Sequence, residues 1–376
     1  MNAFERLCPA GPAWTVPWSG IHAEFDWVRR LDGVPQDAVH HAEGDVATHT
    51  RLACEALAAL PAWRERPADE RVRLFAAVLL HDAAKPFCTA VEEGGRITAH
   101  GHSRRGDLIA RQVLWEAGVP IAWREHVAAL IRHHQVPFWA LERPTGDLDR
   151  IIHRVSLLAR NDDLGLLATA DILGRVCADA GGMLDNVALF LQYAEDDGCL
   201  DRPRHFPSEH ARFTYFRNPA RLADYEAYDD TKVTVTVMSG LPGSGKDHWI
   251  AANRPGVQVV SLDDWRERLR VGPTDDQGPV IAAATDQAKT LLRAGTPFVW
   301  NATNLTRQLR ARCIGLVADY GGRVEIVSVE APPEVVRRRN RARPRPVPDG
   351  VVRRMVGRWE TPDPTEAHRV DWVLNV

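Results

Sequence analysis

Residues 233–247 read Val-Thr-Val-Thr-Val-Met-Ser-Gly-Leu-Pro-Gly-Ser-Gly-Lys-Asp. Alternating β-branched residues over Val233–Val237 predict a strand, because branched side chains suit a pleated surface. A glycine-rich turn follows (Gly240, Gly243, Ser244, Gly245), and Lys246 then opens a helix. The spacing G-x-x-x-x-G-K between strand and helix is that of a phosphate-binding P-loop. Glycines let backbone N–H groups converge on phosphate oxygens, and the helix N-terminus adds partial positive charge. The expected ligand is ATP or another NTP with Mg²⁺, held by Gly240, Gly243, Ser244, Gly245, Lys246 and Asp247. Asp247 stands where a P-loop ordinarily carries Ser or Thr for the metal; a carboxylate also takes Mg²⁺, directly or through water.

Outward from this stretch the two halves of the chain differ. After Thr231 the pattern alternates: strands are predicted at 232–239, 257–261, 297–301, 323–329 and 370–375, with helices at 246–252, 264–270, 279–294, 306–320, 332–342 and 348–359. That alternation gives a parallel sheet flanked by helices. Before about residue 200 the pattern is helical. It runs from Asp37 to Pro61, then over 69–84, 106–117, 120–133, 147–160, 162–178 and 183–195. The fold class is thus α plus α/β in two domains. The all-α domain spans 1–228, including a proline-punctuated connecting segment at about 200–230 with room for one short helix, and the P-loop domain spans 229–376. The Trp-rich residues 1–36 show no period and read as a packed arm.

The length of 376 residues suffices for two cores. The formal charge of −3 conceals an asymmetry: residues 1–228 carry 25 Lys+Arg against 32 Asp+Glu, and residues 229–376 carry 22 against 18. A basic half that also holds a P-loop favours a phosphorylated, anionic substrate there. Only four of the 47 basic residues are lysines, and two of these, Lys85 and Lys246, fall inside motifs. The six cysteines show no C-x-x-C spacing, which signals neither a zinc knuckle nor a disulfide framework. With no membrane-length apolar run and no signal-like N-terminus, a cytoplasmic protein without a membrane partner is expected.

In the helical half, histidines and aspartates follow the order H…HD…H…HH…D: His49, His81-Asp82, His102, His133-His134 and Asp171. Neutral imidazoles with a bridging carboxylate suit a divalent transition metal. The strings Gly33-Val-Pro-Gln, His41-Ala-Glu-Gly-Asp-Val-Ala-Thr-His49-Thr, Leu80-His-Asp-Ala-Ala-Lys-Pro86 and His100-Gly-His102-Ser resemble the HD phosphohydrolase domain attached to bacterial CCA-adding tRNA nucleotidyltransferases, over about residues 33–135. That resemblance implies action on 2′,3′-cyclic phosphates and phosphomonoesters of nucleotides. It makes His49, His81, Asp82 and Asp171 the ligand core for one or two divalent transition metal ions. His102, His133 and His134 would complete a second metal position, if there is one. Lys85, three residues after Asp82, is placed to neutralise charge on the phosphate. Asp45, four residues before His49, is expected on the same helix face, as a ligand or to orient the imidazole.

In the other half, Ser261-Leu-Asp-Asp-Trp-Arg266 follows the second strand. Asp263 suits a general base beside Arg266 as a phosphate clamp, and Asp264 reads as a helix N-cap. The third strand ends in the polar cluster Trp300-Asn-Ala-Thr-Asn304. Residues 335–358 then hold nine arginines against one acid, Asp349. Arg339 and Arg343, four apart, are expected on one helix face as part of a lid; a solvated charged face is the alternative. Together these motifs resemble 5′-hydroxyl polynucleotide kinases of the phage and bacterial type, across residues 232–376. The resemblance implies that Lys246 contacts the β- and γ-phosphates, Asp263 activates the 5′-hydroxyl and Arg266 holds the acceptor's adjacent phosphate. Arg339 and Arg343 stabilise the transferred group.

An HD phosphohydrolase followed by such a kinase resembles the bacterial HD-Pnk end-healing enzymes. This implies RNA or DNA ends as partners, broken RNA with a 2′,3′-cyclic phosphate and a 5′-hydroxyl above all, and a separate RNA ligase downstream. Two other readings remain: a small-molecule nucleotide or sugar kinase fused to a nucleotidase, and a nucleotide-gated sensor without catalysis.

Overall fold

The computed structural model describes residues 2–142, 144–272, 275–343 and 346–375. The chain divides into two compact units, Met1–His205 and Phe206–Val376. The division falls earlier than the 228/229 boundary expected from composition. The reason is the helix Glu209–Arg217, whose Phe213 sits in the core of the second unit, stacked on the His368 ring at 4.1 Å.

The first unit is built on five helices: Val46–Ala59, Ala68–Leu80, His102–Glu116, Ile121–His133 and Asn161–Leu173. Their apolar faces share one core that includes Leu57, Phe75, Leu79, Leu130 and Leu167. The N-terminal arm forms three short helices that add Phe4, Ile21 and Val28 to the first unit's buried interior. Two expectations fail here. Residues 37–45 are turns rather than helix, and Val39 is exposed; the helix starts only at Val46, where Asp45 caps it. The domain is also not wholly α, since β1 (Ala90–Val91) and β2 (Ile97–Thr98) pair as a small antiparallel hairpin.

Close approach places the site. A Cβ on Gly174 would lie 2.6 Å from the backbone nitrogen of Ala53. Only glycine lets the end of the Asn161–Leu173 helix meet the Val46–Ala59 helix this closely, and that contact carries Asp171 up to His49.

In the second unit five parallel strands are ordered β4-β5-β3-β6-β7: β3 is Val233–Ser239, β4 Gln258–Ser261, β5 Phe298–Asn301, β6 Gly322–Glu330 and β7 Arg369–Leu374. Helices cover both faces. Val235, Val237, Phe298, Trp300, Val324 and Ile326 pack with Ala284, Ala288 and Val317 on one side. Met238, Val299, Val327 and Val329 pack with Ile250 on the other. β3 is buried at every position but Thr234, as a central strand covered on both faces should be. Among the described residues, no helix is long and apolar enough to cross a membrane.

Candidate metal centre and P-loop site

In the helical unit the ends of four elements converge. His49 comes from the first turn of its helix, His81 and Asp82 from the turn that stops the Ala68–Leu80 helix, His102 from a helix start, and His134 from the residue ending the Ile121–His133 helix. Asp171 completes the group from the last turn of the Asn161–Leu173 helix, and all six side chains are buried. The ligand atoms of His49, His81 and Asp82 form one compact group, and those of Asp82, His102 and His134 another. Asp82 belongs to both. Its Oδ2 lies 3.2 Å from His81 Nε2 and its Oδ1 3.5 Å from His102 Nε2. Asp171 Oδ1 lies 3.1 Å from His49 Nε2. His133, half-buried at the last turn, stands outside both groups.

The hydrogen bonds fix which ring nitrogens face inward. Nδ1 of His81, His102 and His134 donates to the carbonyls of Val78, Ala99 and Ile131 at 2.7, 2.7 and 2.8 Å. Each bond commits Nδ1 as the N–H and leaves an Nε2 lone pair aimed at the centre. His49 Nε2 then faces His81 Nε2 at 3.3 Å, and His102 Nε2 faces His134 Nε2 at 3.3 Å. Two acceptors this close need a proton or a cation between them. Burial, and then His102, push His134 down to about 3, and burial lowers His102 as well, so both rings of that pair favour a cation over a proton. A separation of 3.3 Å is also close to the edge of a tetrahedron of ligands ~2.0–2.1 Å from a metal. Both oxygens of Asp82 are buried without an aligned hydrogen-bond donor. The donor set therefore fits one or two divalent transition metals, with Asp82 within reach of both groups of imidazoles.

The surrounding charges match. Burial alone would raise the Asp82 carboxyl, but the adjacent Lys85 ammonium helps hold it well below the usual carboxylate range. Lys85 Nζ is 2.7 Å from Asp82 Oδ2 and donates to Gln36 Oε1 at 2.6 Å. Arg175 grips Asp171 through two hydrogen bonds of 2.9 Å and lies 4.7 Å over the Phe138 ring. Glu43 Oε1 lies 2.8 Å from His41 Nδ1 and 2.9 Å from His49 Nδ1, while its Oε2 accepts from the Val176 N–H. Asp45, expected beside His49, instead accepts from the backbone of Thr48 and Gly33 as the helix cap. Glu43 takes the orienting role. Arg175 stands four residues after Asp171, just past the end of its helix; Glu43 and Gln36 lie in irregular backbone that carries no period. A cleft of about 300 Å³ opens onto this cluster, with Lys85, His41, His102, Arg175 and Phe138 in its lining. Arg175→Gln is expected to weaken metal affinity by about 10–100-fold, the scale for a residue that orients a ligand, with secondary structure retained. Metal titration followed by circular dichroism checks both.

In the second unit the P-loop lies at the C-terminal end of the central strand, where ligands of open α/β sheets bind. Gly240 has φ +146, and a Cβ there would meet the Val329 carbonyl oxygen at 2.3 Å. Its N–H donates to Thr303 O at 2.9 Å, and Asn304 Nδ2 donates to Met238 O at 2.9 Å. The Trp300–Asn304 cluster thus braces the loop. Asn301 Nδ2 also donates to Asp247 Oδ1 at 2.7 Å, which ties the unusual carboxylate into the site. Lys246 Nζ donates to the carbonyls of Gly240 and Leu241, both at 3.0 Å.

Asp263 contacts Arg266 and lies 4.0 Å from Arg343 Nη2. Arg266 Nε also donates to Gln277 Oε1 at 2.7 Å. The N-cap is Ser261, whose Oγ accepts from the Asp264 N–H, so Asp264 is not the cap. Arg339 lies against the P-loop, its Nη1 3.7 Å from the Cβ position of Gly245. The helix carrying it ends at Arg341, so Arg343 leaves the helix rather than sharing its face. Arg345 of the expected lid lies outside the described residues.

Burial, and Arg343 after it, lower Lys246 to about 8. Bound phosphate favours the charged amine, so nucleotide affinity should be flat below about pH 7.5. Above about pH 8 it should weaken, by up to ~10-fold per unit, because binding must then take up a proton. Nucleotide Kd measured from pH 7 to 9.5 checks the sign; a Kd that improves with pH refutes it.

Residues 45–162 match the family model described as HD domain, and residues 235–362 match that described as AAA domain. Among curated proteins, the Multifunctional CCA protein of Halorhodospira halophila is 33% identical over 138 residues, 36% of this chain and 30% of that protein. That of Azoarcus sp. is 32% identical over 151 residues, 39% of this chain and 34% of the relative. The A-adding tRNA nucleotidyltransferase of Deinococcus radiodurans is 32% identical over 130 residues, 34% and 27% of the two chains. The chain thus spans about a third of the length of the curated relatives it matches. Among solved structures, a putative kinase from Chloroflexus aurantiacus shares 15% identity with a TM-score of 0.32, covering 39% of this chain and 86% of that one. A sugar kinase from Janibacter sp. shares 22% with a TM-score of 0.28, covering 38% and 84%. In order along the chain, the first unit thus holds a stretch similar to HD domains and the second a P-loop stretch similar to AAA domains.

Proposed function

We propose that the chain heals broken nucleic-acid ends. The HD domain removes a 2′,3′-cyclic phosphate, or a 2′- or 3′-phosphate, and the kinase-like domain moves the γ-phosphate of an NTP onto a 5′-hydroxyl of RNA or DNA. The observation that carries this reading is the pairing in one chain of a buried histidine–aspartate cluster under a basic cleft with a P-loop whose nearby carboxylate, Asp263, is flanked by arginines. His49, His81, Asp82, His102, His134 and Asp171 would hold a divalent metal, which would supply Lewis-acid polarisation of the phosphoryl oxygen and a lowered pKa for water. Lys85, fixed by Asp82 and Gln36, meets negative charge gathering on the phosphate. Arg175 and Glu43 hold Asp171 and His49 in orientation. In the other domain Asp263 accepts the proton of the attacking hydroxyl, and Lys246 steadies the β- and γ-phosphates. Asp247, oriented by Asn301, would hold Mg²⁺. Arg339 and Arg343 spread the charge of the transferred phosphoryl group, and Arg266 holds the acceptor phosphate. A separate RNA ligase then has matched ends to join.

The test is to incubate the purified chain and γ-labelled ATP with RNA carrying a 2′,3′-cyclic phosphate and a 5′-hydroxyl. Loss of the cyclic phosphate and gain of label at the 5′ end are expected. Label entering free nucleosides or sugars but not oligonucleotides would replace this reading with a small-molecule kinase.

A further inference from the structure

The cleft over the HD cluster does not end at the reacting phosphate. A second hollow of about 520 Å³ continues from it, and Gln36, Asp37, His40, Arg96 and Ile97 line both. The β1–β2 hairpin supplies its outer wall, with Gly94 and Gly95 at the turn. The inner hollow of about 300 Å³ already matches the lower end of small-ligand pockets, so the two together exceed the needs of one nucleotide.

Three observations give the extension its chemistry. The first is charge. Residues 1–228 are acidic overall, yet Lys85, Arg96 and Arg175 line this cleft against one carboxylate, Asp37, which accepts from the Val39 N–H at 2.9 Å. The second is a pair of unmet hydrogen-bonding groups. Gln36 is 8% exposed; its Oε1 is used by Lys85, while its Nε2 is buried without a partner. Thr89 Oγ1, also in the lining, is likewise buried and unpartnered. Buried polar groups are ordinarily satisfied, so a donor left open at the junction of two hollows fits a ligand oxygen. The third is Trp139 on the inner wall. It is 41% exposed, while its neighbour Phe138 is buried under Arg175. An exposed indole on a basic wall is a stacking face that any base accepts.

We propose that the outer hollow is a subsite for the penultimate nucleotide of a single-stranded polynucleotide 3′ end, and that the HD domain thereby prefers oligonucleotide ends to mononucleotides. The terminal base stacks on Trp139. Arg96 meets the phosphodiester joining the last two nucleotides, and Gln36 Nε2 donates to an oxygen at that junction. The inference rests on the phosphohydrolase reading above.

The experiment compares three substrates: a nucleoside 2′,3′-cyclic phosphate, a dinucleotide and a decanucleotide ending in the same cyclic phosphate. Wild type, Arg96→Ala and Arg96→Lys are assayed on each. Wild-type kcat/KM should be higher on the dinucleotide by at least about tenfold, the scale of one charge-assisted phosphate contact. Arg96→Ala should erase most of that advantage while moving the mononucleotide value by less than about twofold, and Arg96→Lys should restore part of it. Equal wild-type values on mononucleotide and dinucleotide, or an equal loss on both in Arg96→Ala, would overturn the subsite alone. Hydrolysis of none of the three would overturn the phosphohydrolase reading and the subsite with it.

Discussion

Asp82→Ala should lower HD-site hydrolysis of a 2′,3′-cyclic phosphate by at least ~10³-fold, because the polarisation it helps supply is worth several kcal/mol. The same variant should leave 5′ phosphorylation within about twofold. Asp82 is the side chain shared by the His49–His81 and His102–His134 groups, so its loss removes a donor from each. It also removes the carboxylate that Lys85 approaches at 2.7 Å and leaves that buried amine without its anion. His133→Ala, which changes a histidine outside both groups, serves as the control and should bind metal nearly as wild type does. The measurements are metal content of the purified proteins and the two activities side by side. Loss of both activities from a folded Asp82→Ala protein would defeat the two-site model. Full metal content in that variant would defeat the ligand assignment.

The parts of this molecule that were legible in the sequence are those set by repeating geometry. Strand β3 was expected at 232–239 and lies at 233–239, because β-branched alternation and a glycine-rich turn both constrain the same backbone. The remaining four strands fall within a residue or so of expectation for the same reason. What the pattern does not carry is the phase of a side chain where a helix stops. His133 and His134 are adjacent; the helix ends at the first, and only the second turns inward, a distinction made by the Nδ1 bond to Ile131 O. Asp45 shows the same limit at a helix start. Four residues from His49 puts it on the same face only if the helix already includes it, and it does not. Glu43 and Gln36 reach the site from turns, where no period exists to point them inward. Residues 200–230 read as a connecting segment with one short helix because of their prolines and mixed charge; that helix is Glu209–Arg217, and Phe213 and Arg212 anchor it to the sheet domain, Arg212 donating to the carbonyls of Pro364 and His368.

Asp263→Asn should reduce kcat for 5′ phosphorylation by at least ~10²-fold, the usual contribution of a positioned general base, with NTP Kd nearly unchanged. The amide keeps the shape and loses the ability to take the hydroxyl proton. Asp263 sits just past β4 at the carboxyl edge of the sheet, and its side chain is 75% exposed, so an incoming hydroxyl can reach it. Its two arginine neighbours separate the remaining possibilities. Arg343 lies 4.0 Å away and belongs to the segment after the Pro333–Arg341 helix, whereas Arg266 is one helical turn on and is also tied to Gln277. If Arg266 meets the phosphate on the 3′ side of the target nucleotide, Arg266→Ala should lower kcat/KM by ~10–100-fold on an acceptor that has that phosphate, and little on one that lacks it. If instead Arg266 only positions Asp263 through the Gln277 bond, both acceptors should lose equally, and Gln277→Ala should reproduce the loss. Matched 3′-phosphorylated and 3′-hydroxyl nucleosides, assayed with these variants, decide whether this arginine recognises the acceptor or holds the base in place.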